Sequence, residues 1–204
     1  MGRITFAAGM AERSFSHAIA EGDGISVIAA VDDADAARAA EEQRAEALIV
    51  TRDPAAVREA SSLPILWRTD LPLAQAATSA DAYLLVFDAL DDDDGRLESL
   101  HREALDLGLD CAVEVRDEEE VEKALDRVDP EIFVLSPVDA ERDETPLEVV
   151  LDLLAAVPAG KLAIADLRRT TPDEVQELER AGCDAVIVSA RDVSPLVGGP
   201  PPEV

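Results

Sequence analysis

Lysine is nearly absent from this 204-residue chain, with Lys123 and Lys161 the only two, and asparagine does not occur at all. Basic residues number 18 against 45 acidic ones, a formal net charge of −27. Phosphate backbones demand a basic stripe, and the arginines here are scattered among carboxylates, so nucleic acid is excluded as a partner and anionic membranes with it. Cysteine is equally scarce. Cys111 and Cys183 lie inside apolar runs, without a neighbouring Cys or a His at ligand spacing, which leaves neither a disulfide framework nor a zinc site and predicts buried, reduced thiols. No apolar run approaches the ~20 residues of a membrane span, and Met1 to Gly9 has no apolar stretch of the signal-peptide kind. A cytoplasmic protein is the expectation.

Apolar residues nevertheless make up 48% of the chain, and they fall in short, evenly spaced runs that a disordered acidic tail would not show. The carboxylates must therefore cover the surface of a packed domain. Such a surface repels itself in dilute buffer and is tolerated best where salt shortens the Debye length, to ~3 Å at 1 M. A salt-loving source is the corresponding expectation. A GC-rich genome, which favours arginine codons, accounts for the missing lysine but not for the charge.

Eight runs read as strands: Ile25–Val31, Ala47–Val50, Leu63–Trp67, Ala82–Phe87, Cys111–Val115, Ile132–Leu135, Leu162–Ala165 and Ala185–Val188. Each is continuously apolar, as parallel strands covered on both faces are. Helix signals fill the intervals. Thr171-Pro172-Asp173-Glu174 and Thr145-Pro146-Leu147-Glu148 each place an N-cap threonine before a proline at the first helical position, and Gly182 and Gly160 follow those two helices. Asp117 to Glu120 open a third, whose Val121, Ala124, Leu125 and Val128 recur at helical spacing. Eight βα units can close into a (β/α)8 barrel; a doubly wound open sheet is the rival that composition does not separate. At this length a barrel is compact, with trimmed loops. The expected organisation is an N-terminal segment and helix over 1–24, the barrel over 25–190, and a Pro/Gly-rich tail over 191–204 that leaves a short or missing last helix. Arg3 to Phe6 could add a short strand or flap.

The order of segments Phe15-Ser16-His17-Ala18-Ile19, Ile25 to Val31, Ser62-Leu63-Pro64-Ile65-Leu66, Ala80-Asp81-Ala82, Leu107-Gly108-Leu109, Val113-Glu114-Val115 and Ala181-Gly182-Cys183-Asp184-Ala185 resembles indole-3-glycerol phosphate synthase. The resemblance runs from about Phe15 to Ser189, and its best stretch is Leu105 to Leu125. It implies a TIM barrel, an activity as a carbon–carbon lyase of tryptophan synthesis without a cofactor or metal, and a site at the C-terminal ends of the strands. That chemistry closes a ring with loss of carbon dioxide and water. It needs a cation to protonate the substrate carbonyl, a supporting carboxylate, an acid–base pair and backbone N–H groups for phosphate.

Against the family pattern the chain departs at most site positions. The first strand reads Ala29-Ala30-Val31-Asp32 where the family has Ala-Glu-Ile-Lys and a long Ser-Pro-Ser loop. At the third strand Arg68 replaces the lysine that resembles the general acid, and arginine, with a pKa above ~12, donates protons poorly near neutrality. Glu114, on the fifth strand, survives intact. The Asn-rich turn after the sixth becomes Ser136-Pro137-Val138-Asp139. At the seventh, Ala-Glu-Ser-Gly becomes Ala165-Asp166-Leu167-Arg168, and after the eighth the phosphate-binding Gly-Glu becomes Ser189-Ala190.

The candidate catalytic residues are therefore Glu114, Arg68 and Asp166, and the candidate substrate- or phosphate-binding residues are Arg168, Arg169, Ser189 and Ala190. Glu114 could instead be a structural carboxylate paired with Arg116 or Arg68. Arg68, Arg168 and Arg169 could form an anion clamp on one rim or merely offset the surrounding acids. Asp32, Asp33 and Asp35, and Asp91 to Asp94, lack the Gly turn and distal Glu of a calcium loop and read as helix-start carboxylates. His17, His101, Trp67 and Tyr83 read as packing or surface residues. The expected outcome is loss of the standard reaction. The alternatives are a changed enzyme acting on a small phosphorylated or carboxylated metabolite, and a non-catalytic barrel that binds a ligand, another copy of itself or a tryptophan-pathway protein.

Overall fold

Eight parallel strands hydrogen-bond in sequence order and close on themselves, in a computed structural model that describes residues 14–20, 24–69, 73–76, 78–90, 95–137 and 144–197. They are β1 (Ser26–Val31), β2 (Ala47–Val50), β3 (Ile65–Arg68), β4 (Ala82–Val86), β5 (Asp110–Val115), β6 (Ile132–Leu135), β7 (Leu162–Arg168) and β8 (Ala185–Ser189). Closure is made by β1 and β8, where Ser26 to Ala30 pair in register with Ala185 to Ser189. The open-sheet rival is thereby eliminated. Helix α1 (Ser14–Ala20) precedes β1, and α2 (Ala34–Glu42), α3 (Ala55–Ala60), α4 (Leu73–Ala76), α5 (Arg96–Asp106), α6 (Glu118–Arg127), α7 (Pro146–Ala156) and α8 (Pro172–Ala181) follow the first seven strands in turn. The Asp91–Asp94 run, Asp139 and both chain ends lie outside the described residues.

The strands are apolar on both faces because both faces are buried. Ile28, Ile49, Leu66, Leu84, Ile132, Val134, Ile164 and Ile187 fill the barrel, while alternate residues such as Leu48, Trp67, Leu85, Val113, Phe133 and Val186 meet the helices. Phe15 and Ile19 of α1 belong to the interior cluster. The Ser16 N–H donates to Asp110 Oδ2 at 2.8 Å and Ser26 Oγ donates to the Ile19 carbonyl at 3.5 Å, so α1 plugs the end where the strands begin. The site is left to the opposite end.

Part of the acidity has a structural use. At the lower rim, the acid just before a strand accepts the N–H of the preceding or adjoining strand: Val27 donates to Glu46 at 3.1 Å, Ile65 to Asp81 at 2.8 Å and Ala163 to Asp184 at 2.8 Å. Ladder ends that parallel pairing leaves open are thus satisfied. Other acids cap helices, as Asp33 does for α2 and Asp117 for α6, and both Thr-Pro starts form complete capping boxes with Glu148 and Glu174. Gly182 ends α8 at φ +93°, a conformation that suits glycine.

After β8 the described residues form a 3-10 turn, Ala190–Asp192, in place of a further α-helix. Val193 is buried behind it, Leu196 and Val197 pack on the core, and the Ser194 N–H donates to Gln43 Oε1 at the end of α2, 3.1 Å away. This short hook covers the gap between α8 and α2.

Candidate functional site

Charged side chains enter the barrel at the C-terminal ends of the strands. Glu114, the penultimate residue of β5, is fully buried between Val86 and Val134 of the adjoining strands. Its Oε1 accepts from Arg68 of β3 at 3.0 Å, and its Oε2 has no hydrogen-bond partner. Burial pushes the Glu114 carboxyl above the ordinary range; Arg68 opposes this most, Asp166 adds to it, and Arg116 and Arg168 oppose it more weakly. Arg116 itself turns to Asp88, at 2.8 Å, so Arg68 is the direct partner.

Across the mouth, Asp166 of β7 is 7% exposed and takes two bonds from Arg168, from Nε at 2.5 Å and from an Nη at 3.0 Å. The strand bulges between these residues, and Arg168 has φ +55°. The Arg169 N–H closes a three-residue turn onto the Leu167 carbonyl, and Ser189 Oγ donates to the Arg168 carbonyl at 3.0 Å. Arg168 thus stands where the family pattern has glycine and keeps a backbone conformation that glycine adopts without strain.

Two cavities open on this rim. One, of about 760 Å³, is walled by Leu84, Val86, Leu90 and Leu100 and carries Arg68 and Arg96. The other, of about 970 Å³, gathers Arg168, Arg169, Ser189, Ala190 and Arg191 beside Asp32 and Asp192. The four expected binding residues are brought together, but the three-arginine clamp is divided: Arg68 lines a different cavity from Arg168 and Arg169. Arg96 and Arg191 were not singled out from sequence; Gly95, at φ +83°, is a turn signal that could have placed Arg96 at a helix start.

The other candidates take packing roles. Trp67 and Tyr83 are buried outward, and their polar ends donate to the carbonyls of Arg52 at 2.6 Å and Thr69 at 2.8 Å. Cys111 and Cys183 are buried, and burial pushes both thiols up to about 12. Among the described residues, no group of three His, Cys, Asp or Glu side chains could hold a metal ion, and no helix is long and apolar enough to cross a membrane.

An eight-stranded parallel barrel with ionisable residues at its C-terminal mouth defines the class of (β/α)8 proteins with rim-borne sites. The family model for indole-3-glycerol phosphate synthase matches residues 55–191, and the chain belongs to that family. It is similar to the indole-3-glycerol phosphate synthases of Geobacillus sp. (strain WCH70), 33% identical over 138 residues, and of Salinibacter ruber, 33% identical over 112 residues. These alignments cover 65% and 55% of this chain, and 52% and 40% of the relatives. The chain spans about half the length of the curated relatives it matches. Solved structures share the fold at low identity. Thiamine phosphate pyrophosphorylase from Pyrococcus furiosus has a TM-score of 0.64 at 15% identity over 84% of this chain and 93% of its own. The N-acetylmannosamine-6-phosphate 2-epimerase from Clostridium perfringens has 0.68 at 14% over 88% and 91%.

Proposed function

We propose that this member of the indole-3-glycerol phosphate synthase family, related to tryptophan biosynthesis by descent, has lost the standard ring closure and uses its barrel mouth to bind a small anionic metabolite. The observation that carries the reading is the Arg68–Glu114 pair at 3.0 Å. The cation at the general acid's place is an arginine, which gives up a proton poorly near neutrality, and it is bound to the one carboxylate that survives from the family pattern. Losing a positioned proton donor removes ~10² to 10⁴ in rate. The test is formation of indole-3-glycerol phosphate from the anthranilate-derived ribulose phosphate, followed by indole fluorescence in molar KCl with the protein shown folded. No product is expected; turnover comparable with ordinary family members would overturn the reading.

A second reading, a changed enzyme for another phosphorylated or carboxylated substrate, is favoured by Asp166, which stays at the mouth with Glu114. It requires Glu114→Gln and Asp166→Asn to alter binding or turnover, and it fails if both behave as the natural protein does.

A further inference from the structure

Arg68 faces two ways. One Nη holds Glu114 Oε1 at 3.0 Å, and the side chain, 29% exposed, also lines the 760 Å³ cavity walled by Leu84, Val86, Leu90 and Leu100. An anion that enters this cavity meets the guanidinium that holds Glu114 by a single nitrogen, and a carboxylate bound to it through two nitrogens would outweigh that one bond. Glu114 cannot follow Arg68 toward solvent, because its side chain is wholly buried and its Oε2 already lacks a hydrogen-bond partner. A buried carboxylate deprived of its cation relieves the cost by taking a proton.

We propose that the mouth takes up a small carboxylic acid with an apolar body as its anion together with one proton, the anion replacing Glu114 on Arg68 and the proton going to Glu114. This rests on the anion-binding reading given above. The charge balance is closed: one negative charge and one proton arrive, and the Arg68 cation passes from one carboxylate to another. The groups facing Glu114 fit such an exchange. From β3 there is Arg68, from β7 Asp166 and Arg168, and from the end of β5 Arg116, while β4 and β6 present Val86 and Val134. Arg168 is held by Asp166 and Arg116 by Asp88, so neither takes Arg68's place. Burial raises the Glu114 carboxyl already in the paired state, the same direction in which loss of Arg68 moves it. The cavity lining is mixed, with its apolar walls beside Thr51, Thr69, Tyr83 and Arg96, which suits a ligand that carries both an apolar body and a charged head.

The experiment is calorimetric titration of the natural protein with benzoate, at about pH 7 and fixed salt, in two buffers of different ionisation heat. The expected result is a heat that differs between the buffers in the sense of proton uptake, up to one proton per benzoate, with affinity falling by up to about tenfold per pH unit as the pH rises. Glu114→Gln, checked by its melting curve, should bind benzoate with no proton uptake and a flat profile. Binding with equal heats in both buffers, or a natural protein with a flat profile, overturns the exchange while leaving anion binding intact. If Glu114→Gln does not fold, the two-buffer comparison on the natural protein decides alone. Absence of heat with both benzoate and phenyl phosphate sinks the anion-binding reading itself.

Discussion

Removing Arg68 and removing the charge of Glu114 break the same ion pair but leave very different orphans. In Arg68→Ala, Glu114 remains fully buried with neither oxygen paired to a cation; an uncompensated buried charge of this kind costs about 3–5 kcal/mol, a large share of a typical stability of about 5–15 kcal/mol. In Glu114→Gln, the orphan is Arg68, which reaches the open cavity and can be hydrated there, while the amide oxygen still accepts its hydrogen bond. A loss of at most about 1 kcal/mol is expected, smallest at high pH where ionised Glu114 itself burdens the fold. The double variant Arg68→Ala/Glu114→Gln should be more stable than Arg68→Ala alone, because it deletes the buried carboxylate.

The pH dependence follows from the direction of the shift. Glu114 binds its proton more tightly folded than unfolded, so its contribution destabilises the fold above the raised pKa and vanishes below the ordinary carboxylate value. Without Arg68 the shift is larger, and stability falls with rising pH by up to about 1.4 kcal/mol per unit across the window. The cost of Arg68→Ala should therefore be smaller near pH 5 than near pH 8. Urea unfolding of the four proteins at both ends of this range, in constant KCl, measures it. Equal costs for the two single variants at both pH values would refute the assignment of Glu114 as a buried, marginally paired carboxylate.

At the capping box of α8, Thr171→Ala should cost about 1 kcal/mol in the same assay, and no change would mean that Glu174 alone holds that helix start. Asp184→Ala leaves the Ala163 N–H without its acceptor and should cost about 1–3 kcal/mol, with Asp184→Asn recovering most of it; an Asn variant no better than Ala would refute the rim hydrogen bond. The charge of −27 predicts a melting midpoint that climbs with KCl beyond about 0.15 M, where exposed charges are screened further. A flat midpoint would remove the inference of a high-salt habitat.

The eight strands were legible in the sequence because burial on both faces makes a parallel strand a continuous apolar run, and their misread ends are informative. β3 was expected over Leu63–Trp67 and runs Ile65–Arg68; β7 was expected to end at Ala165 and continues to Arg168. In both cases an apolar pattern stops where the barrel mouth begins, so the charged residues that make the site are those that periodicity discards. Pairing was harder. Glu114 and Arg116 share a strand face by spacing, yet β5 ends at Val115, and the chain leaves the ladder before Arg116 can turn inward. Arg68 and Arg168 line different cavities for a topological reason: β3 and β7 are four strands apart in a ring of eight, on opposite sides of the axis. Only strand order and closure supply that, and neither is written in local sequence.

Arg168 carries the remaining contrast with the family pattern. A non-glycine residue at φ +55° stores about 1–2 kcal/mol of backbone strain, and here its side chain gives something back by binding Asp166 through two nitrogens. The two effects separate cleanly with two variants. Arg168→Ala and Arg168→Gly lose the same ion pair and leave the same Asp166 unpaired, but only glycine is at ease in the left-handed region. Glycine should therefore be the more stable of the two by about 1 kcal/mol, although both fall below the natural protein if the pair with Asp166 outweighs the strain. Unfolding midpoints decide it, and alanine equal to glycine would show that the bulge relaxes once the arginine is gone. In that event the side chain imposes the bend. With glycine ahead, the bend belongs to the backbone path from β7 into α8, and the arginine has been fitted to a turn laid down for a smaller residue.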